Sequence, residues 1–332
     1  MFRLSSPQKV CRIAGIEIGG QTGERPPLLI ANMFQTGDKL FIKRAEFEFD
    51  RVKAKERLQD LEKISERTGI PAMVGMVAPK GYDEMRVYTE FFLENSRLPF
   101  AVDTWTEKAR LETARYIADQ GLQDRFLYNS ITAWDKDIPT QVARLKEYGI
   151  RHVVVQAFDL GGDKRPSGRI KALEVLLPMV EQGGFDSVLI DTSVMNLPTI
   201  GFTLTANRLV KEKFGWPSGC APSNGSYMWL KGCQETWGQD GGRDVFRGAD
   251  AGLHALATIL WTDWMVYGPM TGTRRIFGAV ASAMAVLATL VHEEGGELPA
   301  GGSHPLHRLW PDVAKQLAEA TLAESPVAEA TA

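Results

Sequence analysis

Short apolar runs in this sequence end repeatedly on a carboxylate or an amide. LLIAN closes on Asn32, FAVD on Asp103, FLYN on Asn129, HVVVQ on Gln156, SVLID on Asp191 and GCAPSN on Asn224, while Asp159 and Tyr267 stand near the ends of two runs in the same way. An ionised carboxylate only accepts hydrogen bonds, whereas a side-chain amide both donates and accepts. Two aspartates with several amides suit a flat, nitrogen-rich heterocycle that offers amino and ring N–H groups beside a carbonyl. A pterin has such an edge. A phosphate ligand calls for Lys, Arg or a glycine nest, and a metal for His, thiols or close acidic pairs. The set contains neither pattern. Taken singly, each residue has a plainer reading, a polar group closing a strand or capping the next helix. Thr106, ahead of Glu107, is a better cap than Asp103 for the helix that follows FAVDT.

The elements that carry these residues decide whether they meet. Strands are expected at 28–34, 72–77, 100–104, 126–131, 152–158, 187–192, 219–224 and 265–269, with helical patterns between them. Helices are expected over 52–68, 106–120, 141–148, 168–182 and 204–214, each stopped by glycine, at Gly69, Gly121, Gly149, Gly183 and Gly215. Continuous apolar strands alternating with helices predict a parallel sheet with both faces covered. Eight such units favour an α/β fold with a single (β/α)8 barrel over an open doubly wound sheet. No G-x-G-x-x-G follows the first strand and no P-loop occurs, which weakens a dinucleotide reading. In a barrel the strand ends gather at one mouth, so Asp103, Asn129, Asp191 and Asn224 would surround a common cleft.

The predicted organisation is an N-terminal extension over 1–26, in which RIAGIEIGG forms a hairpin capping the lower end of the barrel, then the barrel over 27–295 and a C-terminal extension over 296–332. Its last stretch, AEATLAESPVAEATA, reads as frayed. The chain has 332 residues, 44% hydrophobic and 24% charged, with a formal charge of −3, which gives no electrostatic reason to expect nucleic acid. Its three cysteines, Cys11, Cys220 and Cys233, are widely spaced without CxxC, and MFRLSSPQKV has no apolar core, so a cytoplasmic location is expected. The run IFGAVASAMAVLATLV at 276–291 is short for a membrane span and flanked by charge. A buried or dimer-facing helix is expected there, with no membrane insertion.

The lead-in FRLSSPQKVCRIAGIEIGGQTGERPPLLIANMF, the pieces FAVDT and LYNSI, and GWPSGCAPSNG together resemble the pterin-binding barrel methyltransferases. The likeness spans nearly the whole chain and is greatest to the H subunit of tetrahydromethanopterin S-methyltransferase and its bacterial relatives. FAVDT and LYNSI are shared with the wider superfamily, which includes dihydropteroate synthase and the corrinoid/iron-sulfur-protein methyltransferase. The resemblance implies methyl transfer between a corrinoid and N5 of tetrahydrofolate or tetrahydromethanopterin. It implies that Asp103, Asn129 and Asp191, with Gln156 and Asn32 beside them, hold the pterin edge. Asn224 would act catalytically near N5. Cobalamin would come on a separate corrinoid protein, since no D-x-H-x-x-G motif occurs. The family also suggests a homodimer.

Two rival functions share this reading. A dihydropteroate synthase would keep the first loop around Asn32, Phe34, Gly37 and Asp38 but needs basic anchors on its last strands, where GCAPSN and VYGPM have none. A non-catalytic pterin-binding component of a larger methyltransferase complex is the other. His304 and His307 lack acidic or thiol company, so no metal is expected there, and Cys220 reads as small buried packing. GQDGGR at 238–243 reads as a flexible loop, a candidate lid or partner contact. Trp105 and Trp134, directly behind the Asp103 and Asn129 runs, are candidates to line the cleft; Trp229 and Trp237 could pack on a cofactor.

Overall fold

The computed structural model describes residues 2–159, 161–299 and 301–324. A hairpin, Val10–Ile13 (β1) and Ile16–Gly19 (β2), precedes the first barrel strand, Leu28–Met33 (β3). A small antiparallel pair, Phe41–Lys43 (β4) and Glu48–Phe49 (β5), lies in the connection to Arg51–Thr68 (α1). Strand and helix then alternate: Ala72–Val77 (β6), Tyr82–Asn95 (α2), Phe100–Asp103 (β7), Glu107–Asp119 (α3), Phe126–Thr132 (β8), Ile138–Glu147 (α4), His152–Gln156 (β9), Pro166–Glu181 (α5), Ser187–Asp191 (β10), Ile200–Phe214 (α6) and Ser218–Cys220 (β11). A pair of helices, Pro222–Trp237 (α7) and Gln239–Ile259 (α8), leads to the last strand, Trp264–Pro269 (β12). Thr273–Glu293 (α9), Pro305–Leu309 (α10) and Pro311–Glu324 (α11) follow.

The strands β3 and β6 to β12 close into an eight-stranded parallel barrel, β12 pairing with β3. The expected (β/α)8 barrel with an N-terminal hairpin is the fold. Local chemistry sets the element ends. Asp50 accepts from the Lys53 N–H to start α1, and Gly69 ends it in the left-handed conformation. Thr106 accepts from the Ala109 N–H at 3.2 Å, so it is the cap of α3, leaving Asp103 free.

Alternation along the strands divides the core in two. Outward residues such as Val74, Phe100, Tyr128, Val155 and Ile190 pack under the helices. Inward residues, among them Ile30, Met73, Ala101, Leu127, Val154 and Leu189, fill the barrel's interior and meet Cys11, Ile13 and Ile18 of the hairpin. The hairpin therefore plugs the N-terminal end. The Lys211 ammonium fastens this end, bonding Asp263 at 2.6 and 2.7 Å and the Gly20 carbonyl at 2.9 Å.

Several expectations need correction. The seventh strand ends at Cys220, and Pro222 begins a helix, so Asn224 lies in the first turn of α7 and not on a strand. GQDGGR is the start of α8, and no loop spans 226–248 beyond the break at Gly238. The segment 318–324 belongs to α11, while the last eight residues of the expected frayed tail lie outside the described residues. The apolar run at 276–291 lies in α9; with its lead-in turn this helix, Met270–Glu293, is long and apolar enough to cross a membrane, yet Ile276, Phe277, Val280, Met284 and Leu287 are buried in the barrel's outer core. Ile13 is fully buried in the plug. Ile13→Ala should cost about 2–5 kcal/mol, read by urea unfolding; a loss below about 1 kcal/mol would show that the hairpin does not seal the barrel.

Candidate functional site

The alternation that sends Ala101, Leu127, Val154 and Leu189 inward does the same to the residues two positions later. These are Asp103, Asn129, Gln156 and Asp191. Strand register sets them side by side: Asp103 pairs with Asn129, and Gln156 with Asp191. Asn32 follows Ile30 inward on β3 opposite Gly75. The six side chains Asn32, Asp103, Asn129, Gln156, Asp191 and Asn224 all line one cavity of about 230 Å³ at the C-terminal end of the barrel.

The helix α7 brings Asn224 over this cavity from above the strands. Ser223 Oγ donates to the Val266 carbonyl at 3.1 Å, tying the helix to β12. Ser226 Oγ donates to Asp250 Oδ1 at 2.6 Å, tying it to α8, and Arg275 of α9 pairs with the other Asp250 oxygen. Gly225 allows the close approach, since a Cβ there would meet the Leu197 backbone at 3.3 Å.

The site is strongly acidic for its burial. The Asp103 carboxylate accepts no hydrogen bond from any described residue, its backbone carbonyl alone taking the Ala78 N–H at 3.0 Å; burial raises its pKa, and the Arg110 charge only partly offsets this. Arg110 is itself bound to Asp135. Burial pushes the Asp191 pKa up to about 6, against the Ser193 N–H, which donates to Oδ1 at 2.8 Å, and the Arg169 charge. Arg169 holds this turn from behind, donating to the Thr192 and Ser193 carbonyls. Gln156 Nε2 donates to Ser193 Oγ at 3.1 Å. The side chains of Asn32, Asn129 and Asn224 have no hydrogen-bonding partner among the described residues. No Lys or Arg lines the cavity.

A second, wider cleft of about 1060 Å³ adjoins the cavity. Asn32 and Asn224 line both spaces and so form the neck between them. The outer cleft runs between the loop after β3 and the face of α7 carrying Tyr227 and Met228.

Several candidates fall elsewhere. Asp159 accepts from the Gly161 and Asp163 N–H groups and organises its own loop. Tyr267 points outward and bonds Thr273 at 2.7 Å. Trp105 is 70% exposed and Trp134 packs edge-on against Phe158, and neither lines the cavity. Trp229 and Trp237 pack on each other. His254 is buried in α8 with Nδ1 at 2.7 Å from the Asp250 carbonyl, and His304 caps α10. Cys220 is buried at the cavity wall, and burial raises its thiol pKa strongly. Among the described residues, no group of His, Cys, Asp and Glu is placed to hold a metal.

The residues missed by sequence reasoning are Gly75, Ser193 and Arg169. Glycine inside the apolar strand AMVGMV was a usable sign of close approach; a Cβ there would meet Asn32 Oδ1 at 3.2 Å. Arg169 acts across 23 residues of sequence on the Thr192 carbonyl, and nothing local marks it.

The closed eight-stranded barrel is shared with solved structures of dihydropteroate synthase. Dihydropteroate synthase from Thermus thermophilus superposes with a TM-score of 0.55 at 16% identity, over 84% of this chain and 100% of that one. The enzyme from Yersinia pestis does so with a TM-score of 0.57 at 12% identity, over 85% and 100%. At these identities the likeness shows the fold alone. The family is given by sequence. The model of the tetrahydromethanopterin S-methyltransferase MtrH subunit matches residues 6–298, and the chain belongs to that family of methyltransferases. The tetrahydromethanopterin S-methyltransferase H subunit of Methanosarcina acetivorans is 28% identical over 93% of this chain and 100% of its own length. That of Methanocaldococcus jannaschii is 29% identical over the same shares, 93% and 100%.

The raised carboxyl pKa values have a consequence for stability. Asp191 moves from 3.8 to about 6 on folding, so between these values the folded chain holds a proton that the unfolded chain has lost. Stability contributed at this position therefore falls as pH rises through that window and stays reduced above it. Asp191→Asn should raise the melting temperature relative to wild type at pH 8 and leave it nearly unchanged at pH 4. An equal gain at both values, in thermal unfolding followed by circular dichroism, would show that the carboxylate's charge is not the cause.

Proposed function

We propose that this methyltransferase moves a methyl group between N5 of a tetrahydropterin, tetrahydrofolate or tetrahydromethanopterin, and a corrinoid carried by a partner protein. The single observation that carries this reading is the lining of the cavity: two half-buried acids and four amides, four of these six side chains without a protein partner among the described residues, facing one space the size of a bicyclic ring. Asn32, Asp103 and Asn129 have no protein partner among the described residues and only partial exposure, and a ligand edge rich in N–H donors would satisfy them together. Asp103, Asn129 and Asp191 would bind the amino-pyrimidinone edge, with Gln156 and Asn32 completing the ring of contacts. A corrin macrocycle is far larger than 230 Å³, so the corrinoid would stand at the mouth.

The corrinoid supplies the cobalt centre that takes or gives the methyl group. This chain's work is on the pterin. A tertiary amine leaves poorly as an amide anion, and a proton held at N5 lets it leave neutral. Asn224, at the neck, would accept a hydrogen bond from that N5–H through its side-chain oxygen and so stabilise the state in which the carbon–nitrogen bond breaks. In the reverse direction N5 is the nucleophile, and the same contact holds the product. No side chain carries the methyl, which suits a cavity whose only thiol, Cys220, is held protonated by burial. The cavity without Lys or Arg speaks against the dihydropteroate synthase reading, which needs a pyrophosphate anchor. Two further parts belong to the proposal. The outer face of α9, with Val286 and Leu290 exposed, would pair with a second copy, and the three unpaired thiols suit the reducing cytoplasm.

The test is anaerobic and optical. Purified chain is mixed with methylcob(III)alamin and tetrahydrofolate or tetrahydromethanopterin, and loss of the methylcorrinoid spectrum is compared with methylpterin formed. Matched, enzyme-dependent change supports the proposal; pterin binding without turnover, even with corrinoid protein present, would favour a non-catalytic role. Asn224→Ala should lower the transfer rate by about 10²–10³ with the melting temperature unchanged. A rate near wild type would remove Asn224 from the mechanism.

A further inference from the structure

The inner cavity accounts for the head of a tetrahydropterin but not for what hangs from it. At about 230 Å³ it has no room for a tail, and the neck between Asn32 and Asn224 opens into the outer cleft of about 1060 Å³. We propose that this outer cleft is the subsite for the substrate's tail, an aryl group ending in an anion, with Lys39 as the counter-charge. The inference rests on the pterin reading of the inner cavity.

The two spaces have opposite character. The inner one holds Asp103 and Asp191 and no cation, so an anion would be repelled from it. The outer one contains Lys39, Arg57 and a single acid, Asp38. That acid is already engaged: Arg57 Nη1 binds its Oδ1 at 2.7 Å, and the Leu40 N–H donates to the same oxygen at 3.1 Å. The Lys39 ammonium forms no ion pair among the described residues and stands exposed on the cleft wall. The cleft therefore has one uncompensated positive charge. The cleft wall is mixed, with Val194, Tyr227, Met228, Leu230 and Pro269 supplying apolar surface beside the polar Gln35, Thr36, Ser223 and Thr271. Met228 is 69% exposed, an apolar side chain with no cover from this chain. An arylamine segment would pack on this surface, and its length would carry the terminal anion toward Lys39. The electrical gradient also orients the ligand, donor-rich head to the acids and anionic end to the lysine.

The source of the anion, oligoglutamate carboxylates or a phosphate, is separated by the choice of ligands. Binding to wild type, Lys39→Gln and Lys39→Glu is measured by calorimetry at low and high salt. The probes are tail-less 6-methyltetrahydropterin, tetrahydrofolate as mono- and triglutamate, and tetrahydromethanopterin. Because Lys39 is exposed, both variants should fold. The expected result is that Lys39→Glu weakens the tailed ligands by about three- to ten-fold, less at high salt, and leaves the tail-less pterin unchanged. A loss that grows from mono- to triglutamate assigns the anion as carboxylate, and a loss confined to tetrahydromethanopterin assigns it as phosphate. Tailed ligands that bind Lys39→Glu as tightly as wild type would overturn the tail subsite alone, provided the tail-less pterin still binds. So would an equal loss for the tail-less pterin. Wild type that binds none of the probes would overturn the pterin reading and the subsite with it.

Discussion

The hairpin β1–β2 closes one end of the barrel with Cys11, Ile13 and Ile18, and this apolar plug sets the surroundings of everything above. A carboxylate at the next inward layer cannot draw on bulk water from below. Asp103 has only the distant Arg110 charge to favour ionisation, and Asp191 has one N–H and the Arg169 charge. Both are therefore raised in pKa, and both remain short of hydrogen-bond donors. Closed off from below, they would favour a ligand that brings several donors in one plane. The apolar plug and the polar ring are thus one device: the first gives the second its discrimination.

Position within that ring follows from how each side chain is carried. Asp103, Asn129, Gln156 and Asp191 stand on strands whose neighbours on both sides are hydrogen-bonded, so their backbone cannot drift without breaking the barrel. Asn224 is different. It rides on a helix pinned by Ser223 to β12 and by Ser226, through Asp250, to α8 and α9. Four fixed strand residues suit recognition of an unchanging heterocycle edge. A residue hung from a pinned helix sits higher, at the neck, where in the proposed reaction the reacting nitrogen would meet a second reactant. Asp250 is wholly buried and bridges Ser226 and Arg275, so the neck's position depends on one desolvated carboxylate far from the cavity floor.

The strand residues of the site are legible in the sequence because period-two alternation converts an apolar inward residue into a forecast for the residue two places later. Ala101 forecasts Asp103, and Leu189 forecasts Asp191. The same logic misplaces Asn224 on a strand. GCAPSN reads as extended, but proline is well suited to the first helical position, where its missing N–H is not needed, and Pro222 occupies it. GQDGGR misleads for a related reason. Its glycines suggest a loop, yet Gly242 lies inside α8 where a Cβ would meet the Cys233 carbonyl oxygen at 2.5 Å. Those glycines serve the close contact between α7 and α8. Arg169 and Ser193 are invisible to local patterns altogether, since their roles exist only once β10 and α5 are brought together by the barrel.

Under the proposed reaction, the neck would let one barrel serve two very different ligands. A methyl group would pass between a small ring in the cavity and a macrocycle too large to enter it, so transfer would occur at the boundary. Asn32 and Asn224 are the residues that belong to both spaces. Their amides carry no charge, so they would neither trap an anionic tail bound for Lys39 nor compete with Asp103 and Asp191 for a donor-rich head. An acid at the neck would add to the repulsion already stored in the floor, and a base would pair with that floor and close it. A neutral amide is the side chain that can accept a proton's hydrogen bond at N5 while leaving the charge separation between the two compartments intact.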